Sequence, residues 1–232
     1  MRSLEAENDM ESSVYAIGDI HGCLDLLDGL LSDIQPDLHR DKLLFIGDYI
    51  DRGPDSKGVV DYILNLQKLY PRENFICLKG NHEAMFRDFL RGMEADMFLL
   101  NGGLSTLEAY WGGNWDRPED LTLPPEHEIF YDQLQLYYET PNYLFVHGGL
   151  KPMTPLADQI EDDLLWIRGE FIASPEDFGR LVIFGHTPFK HPLIMPNKIG
   201  IDTGAVYGNL LTCLKLPQEE FFYRGHGIRE KF

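Results

Sequence analysis

The sequence predicts an α/β (α+β) fold, with two sheets packed face to face and helices outside. Three observations carry this. Short apolar runs alternate with amphipathic stretches through residues 14–80, a βαβαβ order. From residue 143 onward the pattern turns to short apolar strands. Between them, residues 84–141 read as helices and form an insertion beside the sheets. One domain over 14–232 is the expected organisation, since the length suits a single sizeable core.

The elements follow in order. Residues 1–13 are polar and acidic with no apolar core segment. They are expected to be a flexible lead-in and not a secretory signal. Val14 to Ile17 reads as a strand, and Leu24, Leu27, Leu31 and Ile34 then recur at helical spacing. Leu43 to Ile46 is a second strand, and Val59, Val60, Ile63, Leu66 and Leu69 mark a second helix. Phe75 to Leu78 is a third strand. Each strand runs into a glycine, Gly18, Gly47 or Gly80, where the chain can turn sharply. Met85, Phe89, Phe98, Leu99, Leu107, Trp111 and Leu136 then suggest helices, broken at Gly102-Gly103, Gly112-Gly113 and Pro124-Pro125. Asp116 to Glu128 is a Pro-rich and acidic loop, expected to be a rim or lid. Tyr143 to Val146, Leu181 to Phe184, Lys198 to Ile201, Leu210 to Leu216 and Phe221 to Tyr223 complete the strands.

Composition excludes several classes. Hydrophobic residues are 44% of the chain, enough for an ordered core, yet no apolar run approaches the ~20 residues of a membrane helix. The formal net charge is -18, and Lys79, Arg87 and Arg91, the nearest thing to a basic cluster, are interrupted by acids. Neither nucleic acid nor an anionic membrane is therefore an expected partner. The three cysteines, Cys23, Cys77 and Cys213, match no zinc or redox spacing and read as buried free thiols of a cytoplasmic protein.

The chemistry lies in five short motifs: Gly18-Asp19-Ile20-His21-Gly22, Gly47-Asp48-Tyr49-Ile50-Asp51-Arg52-Gly53, Gly80-Asn81-His82-Glu83, His147-Gly148-Gly149 and Gly185-His186. The first three begin where a strand stops, and open α/β sheets bind ligands at the carboxyl ends of strands. Four of the eight histidines fall in these motifs. The others, His39, His127, His191 and His226, have no such setting and read as structural.

Asp19 and His21 stand two apart past a strand end, so both side chains can reach one ion. Mixed carboxylate and imidazole donors suit Mn²⁺, Fe or Zn²⁺ better than Ca²⁺. Asp48 has two oxygens with which to bridge two ions, and Asn81 offers a neutral carbonyl oxygen. His147 and His186 add imidazoles at later strand ends. Two bridged ions would polarise a phosphoryl oxygen and hold water as hydroxide for in-line attack. His82, next to Asn81, is placed to give the leaving group its proton, with Asp51 holding the ring protonated. Arg52 is suited to grip phosphate oxygens with its planar fork, and Arg168 is the best second arginine.

This set resembles the metallophosphoesterase superfamily. More narrowly, it resembles the bacterial-type branch of the phosphoprotein phosphatase family of serine/threonine phosphatases. The family pattern GDxHG, GDxxDRG and GNHE, followed by two metal-binding histidines, is met without substitution, and the resemblance spans about residues 14–216. It implies a central β-sandwich of two mixed sheets flanked by helices. It implies Asp19, His21 and Asp48 as ligands of one metal, and Asp48, Asn81, His147 and His186 as ligands of the other. It implies His82 as general acid with Asp51 as its partner, Arg52 and Arg168 as phosphate-binding arginines, and Asn81 as a substrate contact. Two divalent ions, with Mn²⁺ the usual activator, are the implied cofactor. The implied substrates are phosphoserine and phosphothreonine of proteins, and often phosphotyrosine. Asp202 to Gly208 departs from the SAPNYC segment of the eukaryotic members, so their regulatory docking is not expected.

Two rivals remain. A symmetrical diadenosine tetraphosphate hydrolase shares the motifs but usually has Asp after the Asn-His pair, so Glu83 and the Trp166-Ile167-Arg168 segment favour the protein phosphatase. A catalytically idle metal-binding scaffold would be expected to have lost a ligand or His82, and neither is lost.

Overall fold

The computed structural model describes residues 12–113, 117 and 120–231. The predicted lead-in lies outside these residues up to 11, as do parts of the predicted rim loop at 114–116 and 118–119. The first sheet has the order β11-β10-β9-β1-β2-β3 and the second β4-β5-β6-β8-β7. In the first, β1 (Val14–Ile17), β2 (Lys42–Phe45) and β3 (Phe75–Cys77) are parallel, and β9 (Leu211–Leu216) joins β1 antiparallel. The hairpin of β10 (Glu220–Gly225) and β11 (Ile228–Lys231) extends that edge. In the second, β5 (Tyr143–Val146), β6 (Leu181–Phe184) and β8 (Lys198–Gly200) are parallel. The strands β4 (Tyr137–Glu139) and β7 (Leu193–Met195) run antiparallel on its edges. Both sheets are mixed, and helices flank them.

The apolar runs follow from burial on both faces. Ala16, Leu44, Ile76, Phe145, Ile183 and Ile199 point between the sheets and form one core layer. Their neighbours Tyr15, Ile17, Leu43 and Phe45 point outward beneath the helices of the first sheet. Leu144, Val146, Val182 and Phe184 do the same on the second. Successive strand side chains alternate in direction, so a strand covered twice needs an apolar residue at every position.

α1 (Leu24–Ile34) buries Leu26, Leu27, Leu30 and Leu31. α2 (Ser56–Leu69) buries Val59, Val60, Ile63 and Leu64, and its N-terminus is capped by Asp55, whose carboxylate accepts from the Gly58 N–H at 2.8 Å. Leu69, predicted on the apolar stripe, is 71% exposed. α3 (Asn81–Leu90) starts directly after the third glycine turn. The insertion continues with α4 (Ala95–Phe98), a π-turn over Leu99–Gly103, α5 (Leu104–Trp111) and α6 (Pro125–Asp132). Beyond β5 come α7 (Glu161–Trp166) and α8 (Gly169–Ala173).

Three local expectations are corrected. Pro124-Pro125 begins a helix, with Pro125 at its first position, where no N–H is needed. The predicted loop therefore ends inside α6. Leu136 is not helical: the stretch after it is β4, paired with β5. The strands β4, β7 and β11 were not expected, because the first two are short edge strands with exposed positions and offer no continuous apolar run. The three cysteines are buried and free. No helix among the described residues is long and apolar enough to cross a membrane.

Leu44 is fully buried in the layer between the sheets. Leu44→Ala is expected to lower the free energy of unfolding by about 2–5 kcal/mol, seen as a lower urea midpoint with an unchanged slope.

Candidate active site

The carboxyl ends of β1, β2, β3, β5 and β6 converge on one edge of the sandwich, and each delivers one motif there. The loops approach so closely that side chains are excluded at their crossings. At Gly47, φ is 113°, and a Cβ would stand 2.7 Å from the Gly80 nitrogen. Glu83, fully buried, ties the same loops together. Its two oxygens accept the N–H groups of Asp48 at 3.0 Å, Tyr49 at 2.8 Å and Gly80 at 2.9 Å. His21, Asp48, Asp51, Arg52 and His186 all hold left-handed backbone, with φ between 46° and 72°. Such strain, about 1–2 kcal/mol per residue, persists only where the surroundings impose it, and it gathers at functional sites.

The predicted donors come together. Asp48 lies between two groups, His21 with His82 and His147 with His186, and within each group the donor atoms are no more than 4.8 Å apart. Asp48 Oδ2 is 3.4 Å from His21 Nε2, and its Oδ1 is 3.4 Å from His147 Nε2. Asn81 Oδ1 is 3.0 Å from His147 Nε2. Asp19 stands at the edge of this cluster and in neither tight group. Its Oδ2 accepts the His186 N–H at 3.0 Å. Its Oδ1 is the one buried side-chain oxygen or nitrogen without a hydrogen-bond partner among the described residues.

These residues fit divalent ions. His21 Nδ1 donates to the Ile50 carbonyl at 2.7 Å and His147 Nδ1 to the Ile46 carbonyl at 3.1 Å, which turns each Nε2 lone pair inward. His186 is held the other way, with Nε2 donating to the Trp166 carbonyl at 3.3 Å. Burial pushes His21 down to about 3 and His186 to about 2, and lowers His147, so all three are neutral donors. An inward lone pair on His147 facing the Asn81 oxygen, and the orphaned Asp19 oxygen, are both acceptors that a cation would satisfy.

His82 is different. Burial works against its charged form, yet the facing Asp48 and its hydrogen bond to Asp51 raise its pKa. His82 Nδ1 donates to Asp51 Oδ2 at 2.6 Å, and both side chains are buried. Its Nε2 faces Asp48 Oδ2 at 3.9 Å.

The arginines bracket the cluster. Arg52 Nη1 donates to His21 Nε2 at 2.6 Å, and its guanidinium lies 5.7 Å from the centre of the exposed Tyr207 ring. Arg168 is the N-cap of α8 and donates to the His186 carbonyl at 2.7 Å. The fully buried Lys198 pins this short helix by donating to the Phe171 carbonyl and, at 2.8 Å, to the Ser174 carbonyl.

Sequence reasoning missed Thr106, Ser56 and Asp202. The first two surround Asp51, and no local pattern marks them. Asp202 is buried past the end of β8, and burial raises it to about 6. A carboxylate just past a predicted strand end was its available signal. Of the histidines read as structural, His127 is buried and bridges Tyr110 at 2.7 Å and Asp61 at 2.9 Å, while His226 is exposed.

Residues 12–226 match the model of the calcineurin-like phosphoesterases. The chain belongs to that family. The asymmetrical bis(5'-nucleosyl)-tetraphosphatase PrpE of Oceanobacillus iheyensis is 28% identical to it over 93% of this chain and 94% of that protein. Serine/threonine-protein phosphatase 1 of Salmonella typhimurium is 30% identical over 88% of this chain and 91% of that one. The cold-active protein-tyrosine phosphatase of a psychrophilic Shewanella superposes with a TM-score of 0.69 at 18% identity, over 95% of this chain and 80% of that one. The last similarity is one of fold. Membership in the family makes this chain a hydrolase of phosphoesters with residues placed to bind metal.

Because Asp48 is shared by both donor groups, Asp48→Asn is expected to lose both ions together. Elemental analysis of the purified variant checks this, and retention of one full equivalent would show that Asp48 does not bridge.

Proposed function

We propose that this phosphoesterase is a dinuclear-metal-dependent phosphomonoesterase acting on phosphoserine and phosphothreonine in proteins, with phosphotyrosine within its range. The observation that carries this reading is the Asp48 carboxylate, shared by two groups of buried imidazoles, with the His82–Asp51 pair on the adjoining loops. Asp19, His21 and Asp48 would hold one ion, and Asp48, Asn81, His147 and His186 the other. The bound ions, Mn²⁺ first and Fe or Zn²⁺ as alternatives, would supply Lewis-acid charge to the phosphoryl group and acidify water.

The rest falls to the protein's own side chains. Arg52 and Arg168 bind the phosphoryl oxygens from two sides, helped by the Asn81 amide. His82 holds a proton on the nitrogen opposite Asp51 and passes it to the leaving oxygen. An alkoxide leaving group needs that proton most.

Charge supports a monoester of a protein over a long polyphosphate. Lys57, Lys68, Lys79, Lys151, Arg87, Arg180 and Arg224 are each already paired with a carboxylate. A chain of four phosphates would meet few unengaged cations on a surface of net charge -18.

The second reading, cleavage of a dinucleoside tetraphosphate, is favoured by the names of relatives such as PrpE. Those names specify the asymmetrical reaction, not the symmetrical one weighed as the rival from the sequence. Glu83 itself does not separate the two readings by contact. Its oxygens are taken up by three backbone N–H groups and its side chain is fully buried, so it touches no substrate.

Initial rates with Mn²⁺ on a phosphothreonine peptide, a phosphotyrosine peptide and diadenosine tetraphosphate separate the two. Higher kcat/KM on the peptides is expected. Preference for the dinucleotide overturns the proposal, and its products, AMP with ATP or two ADP, then name the cleavage. His82→Asn is expected to lower kcat on the phosphothreonine peptide by about 10²–10⁴-fold with metal content unchanged. Full turnover on that peptide would remove His82 as the proton donor.

A further inference from the structure

The helical insertion does more than wall the site. Asp51 and Arg52 are consecutive residues in left-handed backbone, with φ of 72° and 69°. The backbone N–H groups of both are held by the insertion. Arg52 N–H donates to the Gly102 carbonyl at 3.1 Å. Asp51 N–H is shared between Thr106 Oγ1 at 2.9 Å and Ser56 Oγ at 3.0 Å. The same π-turn supports the arginine stem, since a Cβ on Gly102 would come within 2.7 Å of Arg52 Cγ.

Thr106 closes a second contact on the same residue. Its hydroxyl donates to Asp51 Oδ1 at 2.5 Å, while Asp51 Oδ2 accepts from His82 Nδ1 at 2.6 Å. A carboxylate can turn about its last bond. With one oxygen engaged by Thr106, the other is left in one place for the imidazole. Thr106, Ser56 and Asp51 are all fully buried, so no water competes for these bonds. A hydroxyl 55 residues away in sequence thus sets the carboxylate that orients the ring.

We infer that Thr106 is a positioning residue for the proton donor: its hydroxyl fixes the Asp51 carboxylate, and through it the His82 ring. This rests on the reading of His82 as the acid. The readout is leaving-group dependence, because p-nitrophenolate departs with little help and a threonine alkoxide does not. Damage to phosphate binding or to the metals lowers both rates; damage to proton delivery lowers one.

The experiment measures kcat for p-nitrophenyl phosphate and for a phosphothreonine peptide with the Mn²⁺-loaded full chain. In Thr106→Val the ratio of peptide to p-nitrophenyl kcat is expected to fall about tenfold, and Thr106→Ser is expected to restore it to within about twofold. Thr106→Ala carries the same expectation and replaces the valine should that variant pack badly. Equal loss on both substrates, or loss on neither, overturns the inference. His82→Asn is run alongside. If its ratio falls and that of Thr106→Val does not, only the role of Thr106 is lost; if its own ratio holds, the reading of His82 fails with it.

Discussion

The site depends on a single buried contact, the grip of Glu83 on three backbone N–H groups. It joins the turn after β2 to the turn after β3 and fixes Asp48 at the junction. Asp48 then accepts the His82 N–H at 3.1 Å and faces His21 and His147. Two turns that would otherwise move separately become one rigid floor. These donors are buried, and leaving any of them unpaired would cost about 1–3 kcal/mol. The left-handed backbone at Asp48 is held by this framework.

Much of this was legible in the sequence. The parallel strands β1, β2, β3, β5 and β6 are buried on both faces, so their runs are continuously apolar, and each ends at a motif. Strand-end placement alone brings Asp19, His21, Asp48, Asn81, His82, His147 and His186 to one edge. The edge strands were not legible, since β4 and β7 are three residues long and partly exposed. Thr106 and Ser56 were not legible for a different reason. A lone hydroxyl residue on a helix is ordinary, and its meaning lies in a partner many residues away. Glu83 shows the converse: it was visible within its motif, but its grip on three backbone N–H groups of two separate turns was not.

The division of labour between the halves of the chain follows from the same geometry. The first sheet supplies Asp19, His21, Asp48, Asp51, the Asn81 amide and His82. The second supplies His147 and His186, with Arg168 held on α8 above it. The insertion supplies no donor of its own, and it holds the loop that carries Asp51 and Arg52.

The seam between the sheets is closed by polar contacts of very long range. Asp19 meets His186 across 167 residues and Ile46 meets His147 across 101. Contacts so distant in sequence form late, since loop closure must come first. A nascent chain that has made only β1, β2 and β3 holds a partial donor set, two turns short of a complete one. The group of Asp48, His147 and His186 comes into being only when the sandwich shuts, so filling of that second position would report that the two sheets have met.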